Sequence, residues 1–149
     1  MRGGRQEGER GSSLVEMALV SLFLIMLLAG AIDFGWAFHD FIILHNASRE
    51  GARVAARLPC KNDDLTQRTF LRGLIVTAAQ SEVAQSGIDG NDITVTITPD
   101  PVGSACPAAG EPFTVAVSYD YDTSLGGILG LAAIPMQAQT RMEFFGNDQ

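Results

Sequence analysis

Residues 11–32 read GSSLVEMALVSLFLIMLLAGAI, and this stretch decides the architecture of the chain. No charged side chain occurs between Met17 and Ile32. The apolar pattern continues past Asp33, and no proline interrupts residues 12–46, which predicts one continuous helix. From Leu14 to Phe38 such a helix rises about 37 Å, enough to span a bilayer with some tilt.

The composition predicts a small acidic domain behind this segment. The chain has 149 residues, of which 46% are hydrophobic and 18% charged, and its formal net charge is −7. This length suits one domain. Only 10 Lys and Arg stand against 17 Asp and Glu. This argues against a nucleic-acid partner, because affinity for phosphates depends on basic side chains.

The residues alone leave three interpretations of the N-terminal segment open. Ala29-Gly30-Ala31 follows the apolar run as a signal-peptidase site would, which predicts a secreted soluble binding domain released after Ala31. The second interpretation is a simple single-pass membrane anchor. The third depends on Glu16, because a carboxylate beside an uncharged run costs about 2–3 kcal/mol in lipid and is a functional candidate. Its alternative role is to complement the helix N-terminus at the interface.

Three tracks with a period of four residues follow the apolar run. Two consist of small residues, which allow another backbone to approach closely: Ala47, Gly51 and Ala55, and Ser48, Ala52 and Ala56. The third is a positive stripe on a different face, made of Arg49, Arg53 and Arg57. A solvated helix face explains that stripe equally well. Pro59 ends the helix.

The remaining sequence predicts an α+β fold, in which the long transmembrane helix continues into a small domain. A second helix is expected over about Leu65–Ser86, with N-cap candidates before it and Gly87 as its stop. Three alternating stretches then predict a three-stranded antiparallel sheet with one buried face: Ile93–Ile97, Phe113–Asp122 and Met136–Phe144. Residues 124–134 predict an apolar loop, over the sheet or against the membrane or a neighbouring subunit.

The two cysteines are too few for a structural zinc site. A disulfide between Cys60 and Cys106 would contribute up to about 4 kcal/mol, and it needs an oxidising compartment, in agreement with an exported domain. Unpaired thiols are the alternative, and we favour the disulfide.

No arrangement of residues predicts catalysis. His39 and His45 are six positions apart and do not share a helix face, and neither cysteine has an evident histidine partner. Asp120 and Asp122 share a strand face without a calcium-loop pattern around them. We therefore expect neither an enzyme nor a metal or cofactor.

The start of the helix resembles a type IV prepilin processing site. Gly11 is followed by a helix whose fifth residue is Glu16, and the apolar run begins directly afterwards. The resemblance implies that a prepilin peptidase cuts after Gly11 and removes a leader of residues 1–11. It also implies that Glu16 pairs with a free N-terminal amine, here that of Ser12 or of a neighbour. Such pairing would remove the cost of burying the charge.

A wider resemblance covers Gly11–Arg57. The glutamate-led helix, Asp33-Phe34-Gly35 and the run ASREGARVA at 47–55 are similar to the TadE-like family, pseudopilins of tight-adherence (Flp) pilus assembly. The similarity continues more loosely to Arg141-Met142-Glu143. The sequence departs from the family pattern at Ser12, where a hydrophobic residue is usual, and at Met17, where an aromatic residue is common.

This resemblance implies a minor pilin-like subunit or an assembly factor. The expected division is a leader at 1–11, a transmembrane pilin-like helix at 12–45 and an extracytoplasmic domain at 46–149. The expected location is the bacterial inner membrane, with one span and possible incorporation in the pilus. The expected partners are prepilin peptidase, other pilin-like subunits and the inner-membrane assembly platform. The small-residue tracks and the arginine stripe would make the subunit contacts.

Overall fold

A computed structural model describes residues 4–124, 126, 130 and 133–145. Two helices are followed by three strands: α1 (Gly4–Arg57), α2 (Leu65–Ala84), β1 (Thr94–Thr98), β2 (Pro112–Asp122) and β3 (Ala133–Glu143). The predicted α+β fold, with a long N-terminal helix, a second helix and a three-stranded antiparallel sheet, is confirmed.

The ends of both helices follow from local chemistry. α1 ends at Arg57, two residues before Pro59, and the Ala56 carbonyl there accepts a hydrogen bond from the Phe145 N–H at 3.2 Å. α2 begins after Asp64, whose side-chain oxygen accepts from the Gln67 N–H at 3.0 Å. This N-cap bond satisfies one of the amide groups that a helix start leaves unpaired.

The strands pair in the order β1-β2-β3, all antiparallel. Val117 lies at the centre of the sheet, opposite Val95 on one side and Ala138 on the other. The predicted alternation is confirmed, because the apolar set of each strand faces the helices. β3 begins three residues earlier than expected, since the long β2 offers backbone partners as far as Asp122.

That early start corrects the end of the predicted apolar loop at 124–134. Ala133 and Ile134 belong to β3, opposite Asp122 and Tyr121. Residues 125, 127–129 and 131–132 of the loop lie outside the described residues. The rest of the loop prediction therefore stays a prediction.

The core fills the space between the helices and the inner face of the sheet. One cluster lies towards the C-terminal end of α1 and contains Ala52, Ile75, Val115 and Phe113. The other lies further towards the N-terminus of α1 and contains Leu44, Val83, Val117 and Ala138. We call the packed part of the molecule the head: α1 from Asp33 onwards, α2 and the sheet.

The head extends further along α1 than the sequence predicted. Ile43 is 5% exposed and Leu44 is fully buried, although the boundary expected between residues 45 and 46 assigns both to the apolar span. These side chains pack against the sheet and α2 instead of lipid, because the sheet reaches past them to Asp33. The boundary between 45 and 46 therefore cuts through the core.

Candidate functional site

The N-terminal part of α1 stands free of the head. Every residue from Gly11 to Leu28 is exposed, and an 18-residue window within Gly11–Arg57 has a mean hydropathy of 2.4. Asp33 is the residue nearest the N-terminus for which a bond to the sheet is described. Before it, residues 12–32 rise about 31 Å, close to the thickness of a bilayer's hydrocarbon core. Length and composition fit one membrane span.

The three residues predicted to carry processing lie on this bare helix. Gly11, Ser12 and Glu16 are exposed on continuous helical backbone, and a Cβ added to Gly11 would meet nothing within 4 Å. Glu16 lies about 25 Å of helix rise before Asp33, beyond the reach of any described side chain of the head. The role of these three residues in processing remains a prediction.

The small-residue tracks lie inside the head. Their members are all buried: Ala47, Ser48, Gly51, Ala52, Ala55 and Ala56. A Cβ on Gly51 would lie 3.2 Å from Val115 Cγ1 and 3.5 Å from the Ile75 carbonyl oxygen. The close approach that small residues permit is therefore used between α1, α2 and the sheet. These side chains are covered within the chain itself, and their role in subunit contacts remains a prediction.

The arginine stripe faces outwards. Arg49, Arg53 and Arg57 are all exposed. Arg49 and Arg53 line an open cleft together with Glu82 of α2 and Met142 of β3. Arg53 donates from Nε to Glu50 Oε2 at 2.8 Å and from Nη2 to Oε1. This hydrogen bond lowers the pKa of Glu50, and the charges of Arg53 and Arg57 lower it further. The stripe is thus available to a partner, although nothing in the head identifies one.

One polar contact between hydroxyl groups ties a small-residue track to the sheet. Ser48 Oγ donates to the His45 carbonyl at 2.8 Å, and it lies 2.8 Å from Thr140 Oγ1 on β3, a hydroxyl pair in which either oxygen can be the donor. Ser48 is fully buried, so these contacts offset the cost of burying its hydroxyl. They fix the height of β3 along α1.

A disulfide holds the end of the head furthest from the bare helix. Cys60, just beyond α1, is bonded to Cys106 in the loop between β1 and β2, as the sequence analysis favoured. The Asn62 side-chain oxygen accepts from the Cys106 N–H at 2.7 Å, and Arg68 donates to the Ser104 carbonyl at 3.0 Å. Together these contacts hold the loop between β1 and β2 against α2 and the segment that joins the two helices.

Replacing both cysteines with alanine is expected to lower the free energy of unfolding of the head by about 2–4 kcal/mol, because the unfolded chain loses a 46-residue loop constraint. Thermal unfolding followed by circular dichroism measures the change. Wild-type protein treated with a thiol reductant is the matched control and should lose a similar amount. Equal melting temperatures for the variant, the reduced protein and the oxidised protein would contradict the prediction.

Asp33 joins the bare helix to the sheet, a role that sequence reasoning missed. Its Oδ1 accepts from the Ser124 N–H at 3.0 Å and from the Tyr121 hydroxyl at 3.4 Å. Burial raises the pKa of Tyr121, and the neighbouring Asp33 charge raises it further. The only sequence signal was a carboxylate directly after an apolar run. Such a carboxylate needs a hydrogen-bond partner, but the sequence does not say which residue provides it.

The described residues contain no group of three or more His, Cys, Asp or Glu placed to hold a metal ion. The ring of His39 lies edge-on to Trp36 with centroids 6.2 Å apart. The expectation of no enzyme, metal or cofactor remains a prediction from sequence.

A bare apolar helix of spanning length that runs unbroken into a packed α+β head fits one class: a membrane-anchored helix-and-head protein. Within that class, residues 11–53 match the family model described as TadE-like protein. The resemblance noted from the sequence is thus confirmed over that segment, and a TadE-like segment indicates a role in tight-adherence pilus systems. No curated protein and no solved structure matches the chain.

Proposed function

We propose that this chain is a minor pilin-like subunit or assembly factor of a tight-adherence pilus, cut after Gly11 by a prepilin peptidase. The observation that carries the proposal is the bare helix of residues 12–32, which contains Glu16 and lies inside the TadE-like match. The match begins at Gly11, the residue that would precede the cut.

The mature helix would rest in the inner membrane and later pack against other pilin-like subunits. Glu16 would pair there with the amine of Ser12 or of a neighbouring subunit, which avoids an uncompensated buried charge. Removal of residues 1–11, with three arginines and two glutamates, would change the net charge from −7 to −8. The exposed arginine stripe remains a candidate surface for subunits or for the assembly platform.

The orientation proposed for the head is extracytoplasmic. The Cys60–Cys106 disulfide supports it, because disulfides persist in oxidising compartments. Flanking charge gives little further guidance, since arginines precede and follow the span.

The geometry also bears on the rival interpretation of secretion. A product beginning at Ile32 would keep the whole packed head, since the packing starts at Asp33. It would, however, leave Phe34 73% and Trp36 59% exposed to water beside the new N-terminus. Exposed aromatic residues of this size favour retention of the span.

The test is complementation of a host that lacks this gene. The full chain is expected to restore piliation. A chain in which residues 1–32 are replaced by an unrelated single-pass anchor should reach the membrane with a folded head and fail to restore it. Electron microscopy of pili and a membrane blot measure the two outcomes. Restoration by the anchor swap would show that the helix is only an anchor and would overturn the proposal.

A further inference from the structure

Three aromatic side chains of α1 just beyond the span are covered neither by α2 nor by the sheet. Phe34, Trp36 and Phe38 are 73%, 59% and 57% exposed, whereas Leu44, further along the same helix, is fully buried. Aromatic rings are enriched where a membrane helix passes through the headgroup layer. Exposure of these apolar rings to water is unfavourable, so we expect a lipid or protein surface to cover them.

The height of these rings matches the headgroup layer. If residues 12–32 fill the hydrocarbon core, Phe34, Trp36 and Phe38 lie about 3, 6 and 9 Å above Ile32 along the helix axis. The polar layer on each side of the hydrocarbon is about 5–8 Å thick. The backbone positions of Phe34 and Trp36 then lie within that layer, and that of Phe38 lies just beyond it.

The sheet reaches the same height. The hydrogen bonds of Asp33 to Tyr121 and to the Ser124 N–H place the end of β2 beside the first residue beyond the span. Ile134 stands opposite Tyr121 in β3 and is 42% exposed. At the end of the head nearest the span, residues of α1 and residues of the sheet therefore lie at the same height.

We propose that this end of the head is a membrane-seating surface. Phe34 and Trp36 of α1 and Ile134 of β3 lie in the headgroup layer of the bilayer, and Phe38 lies just outside that layer. The partner is a lipid surface because the exposed aromatic rings continue directly from the apolar span, with no polar residue between them except Asp33. Phe34 and Phe38 share one face of α1 and Trp36 lies on the opposite face, as suits a layer that surrounds the helix. The two donors around Asp33 let its carboxylate sit at this junction.

The head would therefore contact the membrane directly, at a fixed depth and orientation. This inference goes beyond the proposed function and does not depend on it, because it requires the span but no filament. Its consequence is a set depth for α1: Asp33 lies at the near interface, and Glu16 lies about 6 Å inside the opposite edge of the hydrocarbon core.

The chain carries its own probe, because Trp36 is its only tryptophan. The full chain is reconstituted in phosphatidylcholine vesicles in which part of the lipid carries bromine at a defined depth. A zwitterionic lipid avoids repulsion from the acidic head. We expect the Trp36 emission to shift to shorter wavelength, and the loss of intensity to be greatest with bromine nearest the headgroups.

Two variants in a Trp36→Phe background extend the measurement. Leu22→Trp, at the middle of residues 12–32, should be quenched most by the deepest bromine, and Ile134→Trp should behave like Trp36. Both positions are exposed, so the substitutions disturb no core contact.

Three results would overturn the proposal. Trp36 emission that stays at long wavelength and responds to no bromolipid means that the head stands clear of the membrane. Strongest quenching by deep bromine means that Trp36 lies within the hydrocarbon. Short-wavelength emission without lipid quenching means that a protein surface covers Trp36. Failure of the pilus complementation test would leave this measurement unaffected.

Discussion

Replacing Glu16 with valine is expected to abolish pilus assembly while leaving membrane insertion intact. Insertion should survive because the change removes a charge from an apolar helix and so lowers the cost of placing it in lipid. Assembly should fail because the N-terminal amine proposed as its partner would be left uncompensated. Removing one member of a buried ion pair costs about 3–5 kcal/mol, which corresponds to a loss of roughly 100-fold or more in an assembly equilibrium.

The measurement compares sheared pili with membrane fractions from the same cells. Glu16→Gln separates charge from shape and should also fail, since a neutral amide cannot compensate the amine. Ser21→Ala is the matched control on the same bare helix, where the serine hydroxyl only donates to the Ala18 carbonyl. Normal piliation with Glu16→Val would remove the role assigned to this carboxylate.

Replacing Gly51 with leucine should unfold the head or lower its free energy of unfolding by about 3 kcal/mol or more. The new Cβ alone would lie 3.2 Å from Val115 Cγ1 and 3.5 Å from the Ile75 carbonyl oxygen. The remaining three carbons have no space, because α2 lies on one side and the sheet on the other. Overpacking of this kind typically costs about 1–3 kcal/mol for smaller insertions.

Gly35→Leu is the matched control, because a Cβ at Gly35 would meet nothing within 4 Å. It should leave stability unchanged or raise it by about 1 kcal/mol through better helix propensity. Circular dichroism of the purified full chain in detergent, with thermal unfolding, measures both variants. Equal stability for Gly51→Leu and Gly35→Leu would contradict the packing described for α1.

The elements of the fold were predictable because their signals are local. The alternation in Phe113, Val115 and Val117 identifies a half-buried strand without any knowledge of its neighbours. Asp64 and Pro59 mark helix ends through chemistry within a few residues. Such patterns depend on helix and strand periodicity, which the sequence displays directly.

What the sequence did not reveal depends on contacts between distant residues. The spacing of Ala47 and Gly51 shows that something packs closely on that face, but neither a second subunit nor the chain's own α2 is specified by the spacing. Asp33 and Tyr121 are 88 positions apart, and no local pattern links them. The same limitation placed Ile43 and Leu44 in the membrane span, since side chains that face lipid and side chains that face a core have the same apolar character.

The bare helix is proposed to stay on a mature protein that begins at Ser12. Intact mass and N-terminal sequencing of the protein purified from its native host test it most directly. We expect a chain that has lost eleven residues and starts with Ser12-Ser13-Leu14. A chain that starts at Ile32, or one that keeps Met1, would contradict it.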